Sequence, residues 1–482
     1  MRTGKHLLCL LLLAAAPALA RPTNEALDAD VRRVATTQGR SAARIGVHVV
    51  AAASGRVLYR RRATEQFIPA SNQKLLTAAV ALRALGPDYE FKTELLAGGP
   101  VRDGRLAGDL VVRGGGDPTI GGRYDSEDAE DVFRAWGAVL KEAGIRRVTG
   151  DVVADDRMFD RVWHHPRWSP EQAWKWYFAP ACALSVNDNC VTVSVKPGQA
   201  AGDAALVSLQ PPTGTLEIAN TCATAAKRHV IWFERRAGQR GARVGGHVRL
   251  GSGGYAGRMT VPDPPLYAVE TLRSVLADEG ISVAGSARVV AQDERAEGRR
   301  LHMRKTPLMP VLRTMVKRSH NHYAEQVLKT VGAESYGLGS WGTGAHRASR
   351  LVRELGFREG EFRVDDGSGL SRGNRLPPAA LTALLVEMHR SEHYAQFNSC
   401  LAVAGRDGTL DDRLTEAPYA GNVRGKTGYL SGVGALSGYA TTRGGIEVAF
   451  SILVNDEENP PGTYSMRQTV DAICRAIVDH AG

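Results

Sequence analysis

The first part of the chain alternates apolar and polar positions in a way that predicts three elements. Residues 24–40 have the spacing of an amphipathic helix, and residues 45–51 and 56–61 are β-rich runs on either side of a short turn. A second helical stretch covers residues 71–85, where Gly86 would end it. The pattern therefore predicts a helix, a hairpin and a second helix.

The middle of the chain has a different pattern, with short alternating apolar runs separated by Gly, Pro and Asp from about residue 91 to residue 290. Such runs predict mostly β structure, with helices over 127–143 and 267–279. Helical spacing returns after residue 301, and the chain ends in strands and a last helix. The elements predicted for this final part are helices at 306–317, 320–331, 343–355 and 377–389, strands at 423–430, 433–441 and 446–454, and a helix at 465–480.

The elements at the two ends can form one antiparallel sheet covered by helices, which would make the middle of the chain an insertion. A mature chain of about 460 residues is too long for a single core at roughly 100–200 residues per domain. We therefore predict an α/β (α+β) fold in which residues 21–88 and 291–482 form one domain. Residues 89–290 would form the inserted β-rich part.

The first twenty residues are typical of a cleavable secretion signal. They begin with Arg2 and Lys5, continue with an apolar run over 7–16, and end in small residues. The apolar run is shorter than the ~20 residues of a membrane-spanning helix, and Cys9 lacks the small neighbours of a lipoprotein cleavage site. We expect an exported protein of the periplasm or the extracytoplasmic cell wall, either soluble or held peripherally at the membrane or wall.

The formal net charge of +10 would fall to about +8 once the signal is removed, because that segment carries two positive charges. Lys and Arg are scattered along the chain, which argues against a nucleic-acid partner and suits the anionic cell wall. The oligomeric state is left open by the sequence.

Cysteine and histidine positions give no sign of a metal site, and no cofactor is expected. An odd number of cysteines remains in the mature chain, so at least one would be unpaired in an oxidising compartment. Cys182 and Cys190 could form a disulfide, or each could be a buried thiol. The pairs His164–His165 and His320–His322 lack a third ligand at metal spacing. The cysteines concerned are Cys182, Cys190, Cys222, Cys400 and Cys474.

Ser71 and Lys74 form the first candidate chemical motif. They lie three residues apart at the start of a predicted helix, so both side chains would project from one face. A lysine can activate a serine hydroxyl if burial and neighbouring cations depress the pKa of its amine. On its own this spacing is also that of an ordinary helix N-terminus.

Two further motifs supply groups that can bind a peptide substrate. Ser319 and Asn321 offer a hydroxyl and a carboxamide, although Ser185 and Asn187 have the same spacing within the β-rich middle. Lys426, Thr427 and Gly428 lie on a predicted strand and suit a substrate carboxylate docked along a strand edge. The backbone amide of Tyr429 could join that of Ser71 in an oxyanion hole.

The order Ser-x-x-Lys, Ser-x-Asn, Lys-Thr-Gly matches penicillin-binding proteins and class A β-lactamases. His320 stands in the second motif where those lactamases commonly have Asp. Further segments resemble the class C low-molecular-mass penicillin-binding proteins, the D-Ala-D-Ala carboxypeptidase/endopeptidase family, and the resemblance covers nearly the whole mature chain. These segments are 115–119, 183–189, 366–371 and 436–440.

The resemblance implies a penicillin-recognising, transpeptidase-like fold with an additional all-helical region and two domains nested in the insertion. It implies a serine D,D-peptidase that acts on peptidoglycan peptides and is acylated by β-lactams. Ser71, Lys74 and Ser319 would be catalytic, and Asn321, Lys426 and Thr427 would bind substrate. In that family an acidic residue of the insertion helps to hold the substrate's side-chain amine, and Asp155 lies where that residue would fall.

Three alternatives are compatible with parts of the sequence. Residues 369–373 fit the nucleophile-elbow pattern of α/β-hydrolases, with Ser371 as nucleophile, but neither a strand before them nor a helix directly after them is predicted. A serine β-lactamase would share the acylation chemistry and would release the drug quickly. A non-catalytic wall-binding scaffold would be favoured if one of the three motifs were broken, and none is.

Overall fold

The computed structural model describes residues 25–38, 43–124, 128–456 and 463–481. The predicted secretion signal lies outside the described residues. Helices occur close to each predicted position, and α9 was not anticipated. The helices are α1 (Glu25–Thr37), α2 (Gln73–Leu85), α3 (Ala129–Glu142), α4 (Pro264–Asp278), α5 (Leu308–Lys317), α6 (Asn321–Tyr336), α7 (Trp341–Glu354), α8 (Pro378–Arg390), α9 (Tyr394–Cys400) and α10 (Thr463–His480).

Strands form most of the middle of the chain and recur near its end, as the apolar runs predict. They are β1 (Arg44–Ala51), β2 (Val57–Arg61), β3 (Glu90–Ala97), β4 (Val101–Arg102), β5 (Arg105–Leu106), β6 (Leu110–Arg113), β7 (Arg147–Val148), β8 (Val152–Asp155), β9 (Cys190–Lys196), β10 (Leu206–Gln210), β11 (Glu217–Ala225), β12 (Val230–Glu234), β13 (Gly241–Arg249), β14 (Tyr255–Thr260), β15 (Ser282–Val283), β16 (Ala287–Val289), β17 (Arg299–Pro307), β18 (Ala402–Val403), β19 (Arg424–Leu430), β20 (Val433–Thr441) and β21 (Glu447–Asn455).

The two ends of the chain meet in one antiparallel sheet with the order β18-β19-β20-β21-β1-β2. Helices α1 and α10 pack against one face, and α8 packs against the other in a core shared with α2, α5, α6, α7 and α9. Because both faces are covered, β20 and β21 are buried along almost their whole length, which explains their mainly apolar sequence. The predicted helix-covered antiparallel sheet is confirmed.

The inserted residues form sheets of their own. The larger one has the order β16-β8-β6-β3-β17, in which β16, β8 and β6 are parallel and α4 packs against β16 and β8. Smaller sheets are β15-β7-β5-β4, β10-β9-β14 and β11-β13-β12. Strand β17 pairs with β3 over eight residue pairs, so residues 299–307 belong with the inserted strands. These residues lie beyond residue 290, where the sequence pattern predicts the end of the insertion.

One inserted segment leaves these sheets and packs into the helical core of the other part of the molecule. Between β8 and β9 the chain contributes Trp168, Phe178 and Ala181 to the apolar cluster around α2 and α6. Helix α6 is also hydrogen-bonded to this segment by Gln326, whose Nε2 donates to the Cys182 carbonyl at 2.8 Å. The insertion thus forms part of the wall that surrounds α6.

The cysteines of the described chain are free and buried, including Cys182 and Cys190. Three of the thiols, those of Cys182, Cys190 and Cys400, contact backbone carbonyls, with Cys182 Sγ 2.8 Å from the Leu184 oxygen. The alternative of buried thiols is therefore the one observed, and a Cys182–Cys190 disulfide is absent. No helix in the described residues is both long enough and apolar enough to span a membrane.

Candidate active site

Ser71 lies in a single turn of 3-10 helix, Ala70–Asn72, directly before α2. Lys74 follows in the first turn of α2, and its Nζ is 3.0 Å from the Ser71 Oγ. The turn is held tightly, because a Cβ at Gly369, where φ is +86°, would lie 1.8 Å from the Ala70 carbonyl oxygen. Only glycine permits this approach, which brings residues 366–369 against the serine turn.

The amine of Lys74 is fully buried and is fixed by three oxygen atoms. Besides Ser71 Oγ, it contacts Asn321 Oδ1 at 2.8 Å and the Ser368 carbonyl oxygen at 2.8 Å. Burial lowers the pKa of Lys74 to about 7, against the opposite influence of the Glu325 and Asp366 charges. A lysine with this pKa is substantially neutral near pH 7, so it can accept a proton.

The second motif meets the first through α6. Asn321 is the first residue of that helix, and its Nδ2 donates to the Tyr177 carbonyl at 2.9 Å while its Oδ1 accepts from Lys74. Both ends of the carboxamide therefore have protein partners. Asn321 positions Lys74. Its Nδ2 could bind a substrate amide only if it gave up its hydrogen bond to the Tyr177 carbonyl.

Ser319 lies in the turn between α5 and α6 and has a left-handed backbone, with φ at 59°. Such strain in a non-glycine residue persists only where its surroundings enforce it. The next residue, His320, caps α6 and is buried, with its Nε2 3.4 Å from Asp188 Oδ1 of the insertion. His320, which departs from the Asp of class A lactamases, thus anchors the motif to the inserted part.

The competing Ser-x-Asn match lies elsewhere. Ser185 Oγ accepts from Gln326 Nε2 at 2.8 Å, and Asn187 Nδ2 donates to the Tyr267 hydroxyl at 3.0 Å. Ser185 is thus engaged between the insertion and α6, and Asn187 is engaged with α4 within the insertion. Of the two matches, only the one at residues 319–321 reaches Lys74.

The third motif lies on β19, next to the serine turn. Asn72 Nδ2 donates to the Lys426 carbonyl at 2.9 Å, and a Cβ at Gly428 would lie 3.0 Å from the Pro69 oxygen. Gly428 therefore lets the strand approach the serine turn closely. The Thr427 Oγ1 donates to Thr409 Oγ1 at 2.8 Å, a partner that a substrate carboxylate would have to share. Tyr429 follows on the same strand and is partly exposed.

Lys426 is fully buried, and its Nζ donates to the Thr427 carbonyl at 2.8 Å. Burial and the charges of Lys74 and Arg413 hold the pKa of Lys426 well below its ordinary value. Lys74 and Lys426 are thus two buried amines of the site, and the charge of the first acts on the second.

Asp155 is not part of this arrangement. It ends β8, where Arg157 Nε and Arg113 Nε donate to its carboxylate at 2.8 Å and 3.1 Å. Burial by itself would raise the pKa of Asp155, but these arginines hold it below its ordinary value. Asp155 lines a cleft together with Glu334 of α6. Glu334 follows Asn321 by thirteen residues on that helix, and the rise of an α-helix places these two residues roughly 20 Å apart. The structure thus separates Asp155 from the residues around Ser71.

The alternative nucleophile Ser371 is also placed by the structure. It is fully buried, its hydroxyl donates to Asp365, and residues 366–370 before it form no strand. A nucleophile elbow requires an exposed serine between a strand and a helix. The hydrolase alternative is therefore wrong.

Two residues that sequence reasoning did not single out complete the site. Glu325, one turn after Asn321 on α6, is fully buried beside the loop that contacts Lys74. Asp366 fixes the start of that loop and accepts from the Trp168 indole at 2.9 Å. An acidic residue four positions after Asn321 in an otherwise buried helix is the signal that could have identified Glu325. In the described residues no group of His, Cys, Asp and Glu has the geometry of a metal site.

Comparison with known proteins agrees with this geometry. Residues 27–476 match the family described as D-Ala-D-Ala carboxypeptidase 3 (S13). The chain is 34% identical to the D-alanyl-D-alanine carboxypeptidase of Actinomadura sp. (strain R39), over 99% of this chain and 89% of that protein. It is 27% identical to the D-alanyl-D-alanine carboxypeptidase DacB of Haemophilus influenzae, over 80% of each.

A solved structure has the same fold. The crystal structure of penicillin binding protein 4 (dacB) from Haemophilus influenzae superposes with a TM-score of 0.81 at 23% identity, and covers 93% of this chain and 99% of that one. The same protein has also been solved in complex with a β-lactam, and that structure superposes with a TM-score of 0.76 at 24% identity.

Proposed function

The chain belongs to the D-Ala-D-Ala carboxypeptidase 3 (S13) family, and we propose that it cleaves D-alanyl bonds of peptidoglycan through an acyl-enzyme on Ser71. The predicted family and the predicted serine peptidase activity on peptidoglycan are confirmed. The observation that carries the proposal for Ser71 is the 3.0 Å contact of its Oγ with the buried amine of Lys74. This substrate lies outside the cytoplasm, and we propose the periplasm or cell wall as the site of action.

Lys74 is the base in this proposal. A neutral amine has two N–H bonds and one lone pair, and Asn321 Oδ1 and the Ser368 carbonyl are suited to accept the two N–H bonds. The lone pair then points at Ser71 Oγ. This orientation supports direct transfer of the hydroxyl proton to Lys74 as the oxygen attacks the D-alanyl carbonyl.

The remaining steps follow from the charge that develops. The backbone amides of Ser71 and Tyr429 would stabilise the oxyanion. The proton held by Lys74 passes through Ser319 to the nitrogen of the departing D-amino acid, and the carbonyl remains as an ester on Ser71. Water then attacks the ester, one of its protons goes to the serine oxygen and the other to solvent, and the shortened peptide leaves as a carboxylate.

Lys426 and Thr427 are proposed to bind the terminal carboxylate of the substrate. No carboxylate acts on the buried Lys426 amine among the described residues, so an incoming anion would favour its protonated, cationic form. β-Lactams carry a carboxylate next to a strained amide, so they fit the same groups, and we propose them as covalent inhibitors. We further propose that the drug is released slowly, since no glutamate among the described residues is assigned the deacylating role that one has in class A lactamases.

The test is to treat the purified protein with penicillin and locate the adduct by mass spectrometry. The expected adduct lies on the peptide that contains Ser71, is absent from Ser71→Ala, and persists in Ser371→Ala, which serves as the matched control. An adduct elsewhere, or none, would contradict the proposal. Rapid repeated turnover of penicillin would favour the β-lactamase alternative.

Digestion of purified peptidoglycan separates the two peptidase activities that share these groups. Release of free D-alanine identifies a carboxypeptidase, whereas conversion of cross-linked dimers to monomers identifies an endopeptidase. Mass spectrometry of the products distinguishes the two outcomes directly.

A further inference from the structure

Glu325 is a fully buried acid that the proposed mechanism does not use. It lies on α6 one turn after Asn321, which contacts Lys74 directly. A buried carboxyl group costs free energy unless it is well paired, so its presence here needs a physical reason.

The carboxylate is bonded only to donors. Its Oε1 accepts from the Ser368 amide at 2.8 Å, and its Oε2 accepts from the Gly367 amide at 2.9 Å and from the Trp341 indole at 2.8 Å. None of these three donors belongs to the Ser71 and Lys74 pair. Glu325 therefore acts on the loop of residues 366–369.

That same loop is bonded to α2 on its other side. The Gly367 carbonyl accepts from Thr77 Oγ1 at 2.7 Å, and the Ser368 carbonyl accepts from Lys74 Nζ at 2.8 Å. The peptide group between Gly367 and Ser368 is thus held at its oxygen by α2 and at its N–H by Glu325. Through this bridge the carboxylate fixes one of the three oxygen atoms that surround the Lys74 amine.

Glu325 also acts on Lys74 through its charge. Its negative charge favours the protonated amine, as does that of Asp366. The charge of Lys74 in turn acts on Lys426 and lowers the pKa of that second amine. Lys329, farther along α6, is the other cation influenced by Glu325. Burial and Asp366 raise the pKa of Glu325 to about 7, although its three donors lower it. Lys74 and Glu325 therefore change charge in the same pH range, and each influences the other.

We propose that Glu325 is a positioning residue that holds the 366–369 loop against Lys74 and sets the pH at which this lysine becomes a base. The inference rests on the proposed function, since it assigns Lys74 the role of proton acceptor. It predicts two separable effects of removing the carboxylate, one on the maximal rate and one on the pH dependence.

The test compares wild-type protein and Glu325→Gln by the second-order rate constant for acylation by a fluorescent penicillin, measured from pH 5 to pH 9. The wild-type rate should rise with pH as Lys74 loses its proton. Without the carboxylate Lys74 loses its proton more easily, so the midpoint of the rise should move to lower pH by about 1 unit. The plateau should fall about tenfold to a hundredfold, because the loop is held less firmly.

Two further variants separate the effect of the Glu325 charge from the effect of the bonds that hold the 366–369 loop. Thr77→Val removes the bond to the Gly367 carbonyl without changing any charge, so the plateau should fall while the midpoint stays in place. Trp341→Phe removes one donor from the carboxylate, which favours its neutral form, so the midpoint should move slightly to lower pH. This second variant also carries the test if Glu325→Gln does not fold.

An unchanged midpoint in Glu325→Gln and Trp341→Phe, with the Ser71 adduct present in wild type, would reduce Glu325 to a purely structural residue and overturn the inference alone. A midpoint that moved to higher pH would overturn it as well. Absence of the Ser71 adduct in wild type would instead overturn the proposed function, and this inference with it.

Discussion

The two buried lysines of the site have opposite surroundings. Lys74 contacts three oxygen atoms, and two acids, Glu325 and Asp366, act on its charge. Lys426 donates to a carbonyl of its own strand, and the charges acting on it within the described residues are the cations Lys74 and Arg413. Both amines are completely buried, so burial alone does not distinguish them.

The two environments suit the two amines to different functions. Nearby acids keep the pKa of Lys74 close to neutrality despite burial, so this amine can exchange a proton during a reaction cycle. Neighbouring cations make the Lys426 region more positive, so it is stabilised by an anion that arrives with the substrate. One lysine is suited to proton transfer and the other to recognition.

Removing Lys74 should have the largest effect on acylation. Lys74→Ala deletes the proposed base, and we expect acylation by penicillin to slow by about 10³-fold to 10⁴-fold. Stopped-flow fluorescence or adduct mass spectrometry measures the rate. A loss no greater than that of Lys426→Ala would show that the two roles are wrongly assigned.

Removing Lys426 should have a smaller effect of a different kind. Lys426→Ala should reduce the second-order rate constant for a peptide ending in D-Ala-D-Ala by about a hundredfold, mainly through KM. A peptide whose terminal carboxylate is amidated should be cleaved equally slowly by variant and wild type. If the amidated peptide also lost a hundredfold in the variant, Lys426 would not be recognising the carboxylate.

The pH dependence of acylation tests the role of Lys74 as a base without any mutation. Because only neutral Lys74 can accept the serine proton and its pKa is about 7, acylation should fall as pH drops below 7. The loss should approach about tenfold per pH unit well below that value. Rates measured between pH 5 and pH 8 at constant ionic strength test this, and a flat profile would contradict a titrating base.

Asp155→Asn should give the smallest change in activity. Because Asp155 is paired with Arg113 and Arg157 away from Ser71, we expect less than about a twofold change in kcat/KM for a peptide with a side-chain amine. Stability should fall by about 1–3 kcal/mol through loss of these bonds, as measured by denaturant unfolding. A large rise in KM confined to amine-bearing peptides would restore the substrate role predicted from the family resemblance.

Much of the fold could be predicted because local pattern dictates it. The helix after Ser71 and the strand that carries Lys426 have strong periodicity, and the order of the three motifs identified their family. Strand β17 was missed because its sequence is charged and partly exposed. It pairs with β3, some 200 positions earlier, and such a pairing cannot be predicted from local sequence pattern.

The site was predictable to the same extent. Side chains within a motif, such as Ser71 and Lys74, are brought together by helix geometry. Contacts made by backbone atoms of distant loops cannot be predicted from residue type. Examples are the Tyr177 carbonyl that contacts Asn321 and the Ser368 carbonyl that contacts Lys74. Asp155 was misplaced because spacing along the chain cannot say on which side of the insertion a carboxylate will lie.

The entry of Trp168 and Phe178 into the helical core has a consequence for how the molecule assembles. The 244 residues between Lys74 and Ser319 cannot be treated as a removable module, because the core around α2 and α6 is incomplete without them. Contacts of such long sequence separation slow folding, and a competent nucleophile would arise only late. We therefore expect the enzyme to gain its activity only when the whole polypeptide has folded.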